Sequence, residues 1–246
     1  MPQVSSAVAS HTGLRRAGNE DAFCARADLG LYVVADGMGG HAAGEVASRL
    51  AIEAIESHVA DTSASPSLST DAAGRLKSAI LLANRRLGDA MAADAALRGM
   101  ATTAAAVLLT PEAPAVAHVG DSRVYRWRER RLIALTQDHS WVGEQVRAGV
   151  LSDADARRHP WRNVVTRAIG GGAEPTVDVA ALDLAAGDRL LLCSDGLSAV
   201  VTHERLEAIF VKALPLQDTC DALVEAANDA GGPDNITALI VQIDVE

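Results

Sequence analysis

The sequence is poor in aromatic residues. Phe, Trp and Tyr make up 3% of its 246 positions, so a core has to be filled by Ala, Leu and Val. It lacks paired cysteines: Cys24, Cys193 and Cys220 are scattered, odd in number and without CxxC spacing. That excludes a disulfide framework or a cysteine zinc site and fits core thiols in a reducing compartment. No uncharged apolar run reaches the roughly 18 residues a membrane span needs. The first residues, MPQVSSAVASHTGLRR, carry polar side chains and a His where a secretory leader has its apolar region. A cytoplasmic location is expected. Basic residues are in the minority, 22 Lys and Arg against 32 Asp and Glu, for a formal net charge of −10. Nucleic acid is bound chiefly through clustered Lys and Arg, so neither it nor a membrane is an expected partner, and the chain is read as a monomer.

Several catalytic signatures are absent as well. Without a Cys-x5-Arg loop there is no thiolate phosphatase chemistry. No GxxxxGK[ST] loop cradles a nucleotide, and no GxSxG elbow presents a serine. None of the seven histidines stands in an HExxH pair, so zinc is not expected.

What is present is a chain that is 49% hydrophobic, enough for a substantial core. Val46, Ala47, Leu50, Ala51, Ala54, Ile55, His58 and Val59 mark one face at helical spacing, as do Leu76, Ile80, Ala83, Leu87 and Met91. Between these two helices, Asp61 to Thr70 is Ser/Thr-rich with Pro66 and reads as a surface loop. Short apolar runs, Leu31 to Ala35, Ala104 to Leu109, Ala115 to Val119, Leu190 to Cys193 and Ile236 to Ile243, read as buried strands. Short linkers such as Thr110 to Pro114 predict antiparallel hairpins. Two more helices bury Leu206, Ile209 and Phe210, and Leu216, Cys220, Leu223, Val224 and Ala227. Strand runs separated by helix pairs point to an α+β sandwich. The segment from His139 to Gly172 is polar, Arg-rich and poor in strand pattern, and reads as an insertion over one end of the sheets.

Carboxylates recur at the strand ends: Asp36-Gly37, Gly120-Asp121, Asp195-Gly196, Asp234-Asn235 and Glu20-Asp21. Singly each is a turn former. Gathered at one edge of a sandwich they would repel one another, unless a hard, oxygen-seeking cation such as Mg²⁺ or Mn²⁺ offsets the repulsion. Two such ions suit phosphate-ester hydrolysis: they acidify a bridging water and neutralise the phosphoryl oxygens. A nearby arginine would grip the phosphate, and Arg16 and Arg15 compete for that task.

Seven ordered blocks extend this pattern: RAGNEDAF from Arg16, VADGMGGHAAGE from Val34, HVGDSRVY from His118, TQDHS from Thr136, NVVTRAIG from Asn163, LLCSDGL from Leu191 and GGPDNIT from Gly231. With them the chain resembles the metal-dependent Ser/Thr protein phosphatases (the PPM family, type 2C), in particular their compact bacterial members. The resemblance implies a four-layer αββα sandwich of two antiparallel sheets flanked by helix pairs. It implies a single phosphatase domain over residues 1–246 with a flap insertion at about 139–172. Asp36 would bridge two Mn²⁺ or Mg²⁺ ions in the core site, and the Gly37 carbonyl would bind one of them. Asp195 and Asp234 would complete the first, with Glu20 and Asp21 ordering bound waters. Asp121 with Asp195 would hold a third ion, and Arg16 would bind phosphate. His41 follows DGMGG rather than DG and is a candidate either for a general acid in contact with substrate or for starting a helix. His159, Arg162 and Arg167 are candidates for contacting the phosphoprotein or for holding the flap. The expected substrates are Ser/Thr-phosphorylated proteins, those of a cognate Ser/Thr kinase. A catalytically inactive relative that only binds phosphoproteins is the alternative; loss of a ligand carboxylate would mark it, and none is missing. Gly18, where the family often has Asn, and Ala101, where Gly is usual, depart from the pattern outside the ligand set.

Overall fold

The structure is a computed structural model and describes residues 3–39, 43–63, 71–111, 113–170 and 172–244. Eleven strands are present in them: β1 (Val4–His11), β2 (Asp21–Arg26), β3 (Leu31–Met38), β4 (Ala101–Thr102), β5 (Ala104–Leu108), β6 (Ala115–Val119), β7 (Arg123–Arg128), β8 (Arg131–Ala134), β9 (Asp178–Ala181), β10 (Arg189–Cys193) and β11 (Ile236–Ile243). The α-helices are α1 (Ala43–Ser63), α2 (Ala72–Ala93), α3 (Trp141–Arg147), α4 (Asp153–Ala156), α5 (Asp195–Ser198), α6 (His203–Val211) and α7 (Leu216–Asp229). One sheet runs β1-β11-β10-β7-β8; the other runs β2-β3-β5-β6-β9, with β4 added beside β3. Every pairing is antiparallel.

Three apolar interfaces account for the layers. Alternation along a strand sends successive side chains to opposite faces. In β3, Leu31, Val33 and Ala35 face α1 and α2, where they meet Ala47, Ile55, Leu76 and Ile80. Tyr32 and Val34 face the other sheet, meeting Leu190, Leu192, Leu239 and Val241. In β10, Leu191 and Cys193 turn outward to Leu206, Phe210, Cys220 and Leu223 of α6 and α7. The inner strands are covered on both faces, and so they read as unbroken apolar runs. The αββα sandwich of two antiparallel sheets is therefore the observed architecture.

Three details differ from the sequence reading. Asp36-Gly37 lies within β3 rather than after it, because β4 pairs with Gly37 and Met38 and prolongs the strand. Strands β1, β7, β8 and β9 were not expected. β1 is a small, half-polar edge strand, and β7 alternates Arg with apolar residues while its guanidinium groups pair with Asp138, Asp183 and Asp188. Helix α1 continues to Ser63, into the expected loop, whose residues 64–70 lie outside the described residues. Residues 139–172 hold α3 and α4, each capped by a serine hydroxyl, and the described residues among them contribute no strand to either sheet. No helix among the described residues is long and apolar enough to cross a membrane.

Leu192 is fully buried between the two sheets. Leu192→Ala is expected to destabilise the protein by about 2–5 kcal/mol, read from urea unfolding in chelator. A loss under about 1 kcal/mol would show that the sheets are not packed together there.

Candidate active site

The strand ends bring distant carboxylates to one edge of the sandwich. Asp21 opens β2 and sits opposite Asp36 of β3 in the ladder. Asp195 begins α5 directly after β10, and Asp234 precedes β11. Asp21 Oδ2 accepts hydrogen bonds from Ser194 Oγ at 2.7 Å and Thr237 Oγ1 at 2.6 Å, which ties β2 to the other sheet. Its Oδ1 is buried without a partner. The backbone of Asp36 is held by Thr103, whose Oγ1 accepts from the Asp36 N–H at 2.9 Å and whose N–H donates to the Asp36 carbonyl at 2.9 Å.

Close backbone approach makes room for the cluster. A Cβ on Gly37 would lie 2.0 Å from the Gly44 carbonyl, so only glycine lets α1 begin against the end of β3. The Glu20 carboxylate fits against Gly44 in the first turn of α1. Asn235 fixes the loop that carries Arg16: its Nδ2 donates to the carbonyls of Thr12 and Gly18, each at 2.8 Å, and its Oδ1 accepts from Glu20 N–H at 2.8 Å. Arg16, not Arg15, reaches the cluster, and its guanidinium donates to Asp234 Oδ2 at 2.7 Å.

The electrostatics are those of crowded like charges. Burial first, then repulsion from Asp21, Asp195, Asp121 and Asp234, pushes the Asp36 carboxyl well above the usual carboxylate range. Asp21 is pushed up to about 7 and Asp121 to about 8, in both cases chiefly by burial. Asp195 and Glu20 rise for the same leading reason. Oxygen donors alone, uncompensated charge and an orphaned Asp21 oxygen together fit hard divalent cations.

A second group, His118, His139 and Asp178, places its ligand atoms within 4.8 Å of one another. It does not fit a metal. Gly120 N–H donates to His139 Nδ1 at 3.1 Å, so the ring proton is on Nε2, 3.1 Å from Asp178 Oδ2.

A cleft of about 650 Å³ adjoins the cluster, and Asp121, Asp195, Arg147, Arg157 and Arg162 are among its lining residues. Arg162 thus faces the same space as the carboxylates. His159 does not: its ring stacks on Trp141 with centroids 4.8 Å apart, and its Nδ1 accepts from the Trp161 N–H at 3.1 Å. Arg167 donates to Asp178 Oδ1 at 3.0 Å, which ties the 139–172 segment to β9. His41 lies outside the described residues. The supporting residues Thr103, Ser194, Thr237 and Asn235 escaped the sequence reading. Their one visible signal is a hydroxyl or amide set within or beside an apolar strand. The thiols of Cys24, Cys193 and Cys220 are buried and pushed up to about 12 by that burial, which removes them as nucleophiles.

A protein-family model described as protein phosphatase 2C matches residues 12–235. The serine/threonine phosphatase stp of Listeria monocytogenes is 36% identical over 215 residues, 87% of this chain and 85% of that protein. The serine/threonine protein phosphatase PstP of Mycobacterium tuberculosis is 38% identical over 239 residues, 96% of this chain and 44% of that longer protein. Among solved structures, the catalytic domain of a serine/threonine protein phosphatase PstP in complex with two manganese ions superposes with a TM-score of 0.85. It is 35% identical, over 98% of this chain and 99% of that one.

The raised carboxyls set a pH dependence. A carboxyl raised above its unfolded value of about 3.9 holds its proton more tightly in the folded state. Its contribution to stability is therefore full at low pH and lost as pH rises through the folded value, about 7 for Asp21 and about 8 for Asp121. In chelator, the melting temperature is expected to be lower near pH 9 than near pH 6, and saturating Mn²⁺ is expected to abolish that slope. Equal melting temperatures at the two pH values in chelator would contradict the crowding.

Proposed function

The chain belongs to the protein phosphatase 2C family, and we infer that its carboxylate-lined cleft is where it hydrolyses phosphoserine and phosphothreonine monoesters on other proteins. It is a metal-dependent serine/threonine protein phosphatase of α+β fold. One observation carries the assignment of the site. Carboxylates from five separate chain segments gather with one arginine at a single sheet edge, beside a cleft wide enough for a side chain.

Asp36, Asp195, Asp234 and the Gly37 carbonyl are the groups that would hold two Mn²⁺ or Mg²⁺ ions, with Glu20 and Asp21 behind them and Asp121 with Asp195 available to a third. The ions would supply an activated water and charge neutralisation for the phosphoryl group. The protein supplies the rest. Ser194 and Thr237 hold one oxygen of Asp21, and Thr103 fixes the Asp36 backbone. Arg16 stands at the rim, half exposed, where its guanidinium can take two phosphoryl oxygens. Neutralising Asp234 releases that guanidinium from its present partner.

Residues 139–172 act as the flap of a single domain. Arg162, Arg147 and Arg157 on the cleft wall favour the phosphorylated segment of a substrate protein over a neutral chain. Arg167 and His159 are engaged within the protein and hold the flap in place. The natural substrates are proteins phosphorylated by a cognate Ser/Thr kinase. The enzyme works as a monomer, without nucleic acid or membrane. Three unpaired buried thiols support a cytoplasmic setting. Nothing favours an inactive binding relative, because every carboxylate of the set is in place.

Phosphate release from a phosphothreonine peptide is expected with Mn²⁺ and not with EDTA, and Asp36→Asn is expected to lower kcat at least about a hundredfold. Undiminished turnover in EDTA or in the variant would refute the metal mechanism. Arg16→Ala removes both a phosphate ligand and a competitor for Asp234. KM for the peptide is expected to rise while Mn²⁺ affinity holds or tightens in calorimetry. A loss confined to Mn²⁺ affinity would show that Arg16 supports the cation site and not the phosphate.

A further inference from the structure

His139 lies outside the carboxylate cluster, yet each of its polar groups is engaged. The residue is 2% exposed. Its N–H donates to the Gly120 carbonyl at 2.9 Å, and the Gly120 N–H donates back to His139 Nδ1 at 3.1 Å. Its carbonyl accepts from Thr166 N–H at 2.8 Å. On the other edge of the ring, Nε2–H faces Asp178 Oδ2 at 3.1 Å, and Arg167 donates to Asp178 Oδ1 at 3.0 Å. The ring stacks on His118, with centroids 4.5 Å apart.

Gly120 immediately precedes Asp121 and has φ +105°; a Cβ there would strike the Thr103 side chain at 2.5 Å. Thr103 is the residue that holds the Asp36 backbone, and its Oγ1 also meets Ser122 Oγ at 2.6 Å. A continuous set of contacts therefore runs from Asp36 through Thr103, the Gly120–Asp121 turn and His139 to Asp178 and Arg167 of the flap. Burial disfavours the charged ring and keeps the two nitrogens chemically distinct, one accepting and one donating.

We propose that His139 is a positioning residue for the hydrolytic reaction: its Nδ1 side holds the Gly120–Asp121 turn while its Nε2 side, through Asp178 and Arg167, fixes the flap over the cleft. The inference rests on the reading of Asp121 as part of the cation site. The two roles can be separated by shape. In His139→Asn the amide oxygen takes the place of Nδ1 and the side chain is too short to reach Asp178. In His139→Gln the amide N–H reaches Asp178 and no acceptor remains for Gly120.

Mn²⁺ binding by calorimetry, kinetics with a phosphothreonine peptide and with p-nitrophenyl phosphate, and melting temperature test the proposal. His139→Gln is expected to weaken the weakest class of Mn²⁺ sites about tenfold. His139→Asn is expected to keep that affinity and to raise KM several-fold for the peptide alone. Arg167→Ala, at a half-exposed side chain that the core does not need, is expected to behave like His139→Asn. The proposal is overturned if both His139 variants keep the Mn²⁺ isotherm and both KM values while only the melting temperature falls. It is also overturned if the two variants shift every quantity alike, or if Arg167→Ala leaves the peptide KM unchanged. Failure of the unaltered protein to bind Mn²⁺ would instead sink the reading of the carboxylates, a result visible before any variant is made.

Discussion

The interaction on which this structure turns is repulsion among carboxylates that the fold forces together. Asp21, Asp121, Asp195 and Asp234 each raise the proton affinity of a neighbouring carboxyl, Asp36 foremost, and burial adds the largest share. Among the described residues one cation, Arg16, meets them directly, and it does so from the rim. Arg123, a second guanidinium nearby, donates two hydrogen bonds to Asp138 at 2.7 Å, and its charge offsets only part of the rise at Asp121. A site of this kind cannot stabilise the fold that contains it. It has to be held by interactions that are indifferent to its charge.

Those interactions are backbone and hydroxyl contacts anchored in the three apolar interfaces. Asp36 is positioned through its own N–H and C=O, so its carboxylate is not needed to hold the backbone. Asp21 spends one oxygen on two hydroxyls and keeps the other. Asn235 spans three loop groups with a single amide and brings the Arg16 loop, Glu20 and Asp234 into one unit. The core interfaces, filled with Leu, Val, Ile and Ala at near-zero exposure, provide the stability that lets these polar arrangements persist.

How far the sequence disclosed this differs from element to element for physical reasons. β3, β5, β6, β10 and β11 are covered on both faces, so burial wrote itself into continuous apolar runs such as LLLC and ITALIVQI. β1 and β7 to β9 lie at or near sheet edges, or alternate apolar with charged residues, and their pairing depends on partners far along the chain. The carboxylates were legible because Asp beside Gly at a strand end recurs too often for turns alone. Thr103, Ser194, Thr237 and Asn235 were not, because a hydroxyl or amide inside or next to an apolar strand has no spacing of its own. The choice between Arg15 and Arg16 likewise needed the loop geometry that Asn235 imposes.

Charge also dictates an order to binding. A phosphate dianion approaching the cleft as the chain alone builds it meets buried carboxylates, in a protein whose formal net charge is −10. The Arg16 guanidinium, proposed above to bind it, is held by Asp234. On the proposed assignment, phosphate affinity would be conditional on neutralising Asp36, Asp195 and Asp234, which would remove the repulsion and free Arg16 in the same event. The proposed flap would add to this selectivity. Arg147, Arg157, Arg158, Arg162 and Arg167 outnumber Glu144, Asp153 and Asp155 in residues 139–172, and of these Arg147, Arg157 and Arg162 line the cleft. The cleft itself carries both signs, since Arg123, Arg147, Arg157 and Arg162 line it together with Asp121, Asp138, Asp153, Asp195 and Glu204, so a phosphorylated segment gains from the arginines only once cations offset the carboxylates.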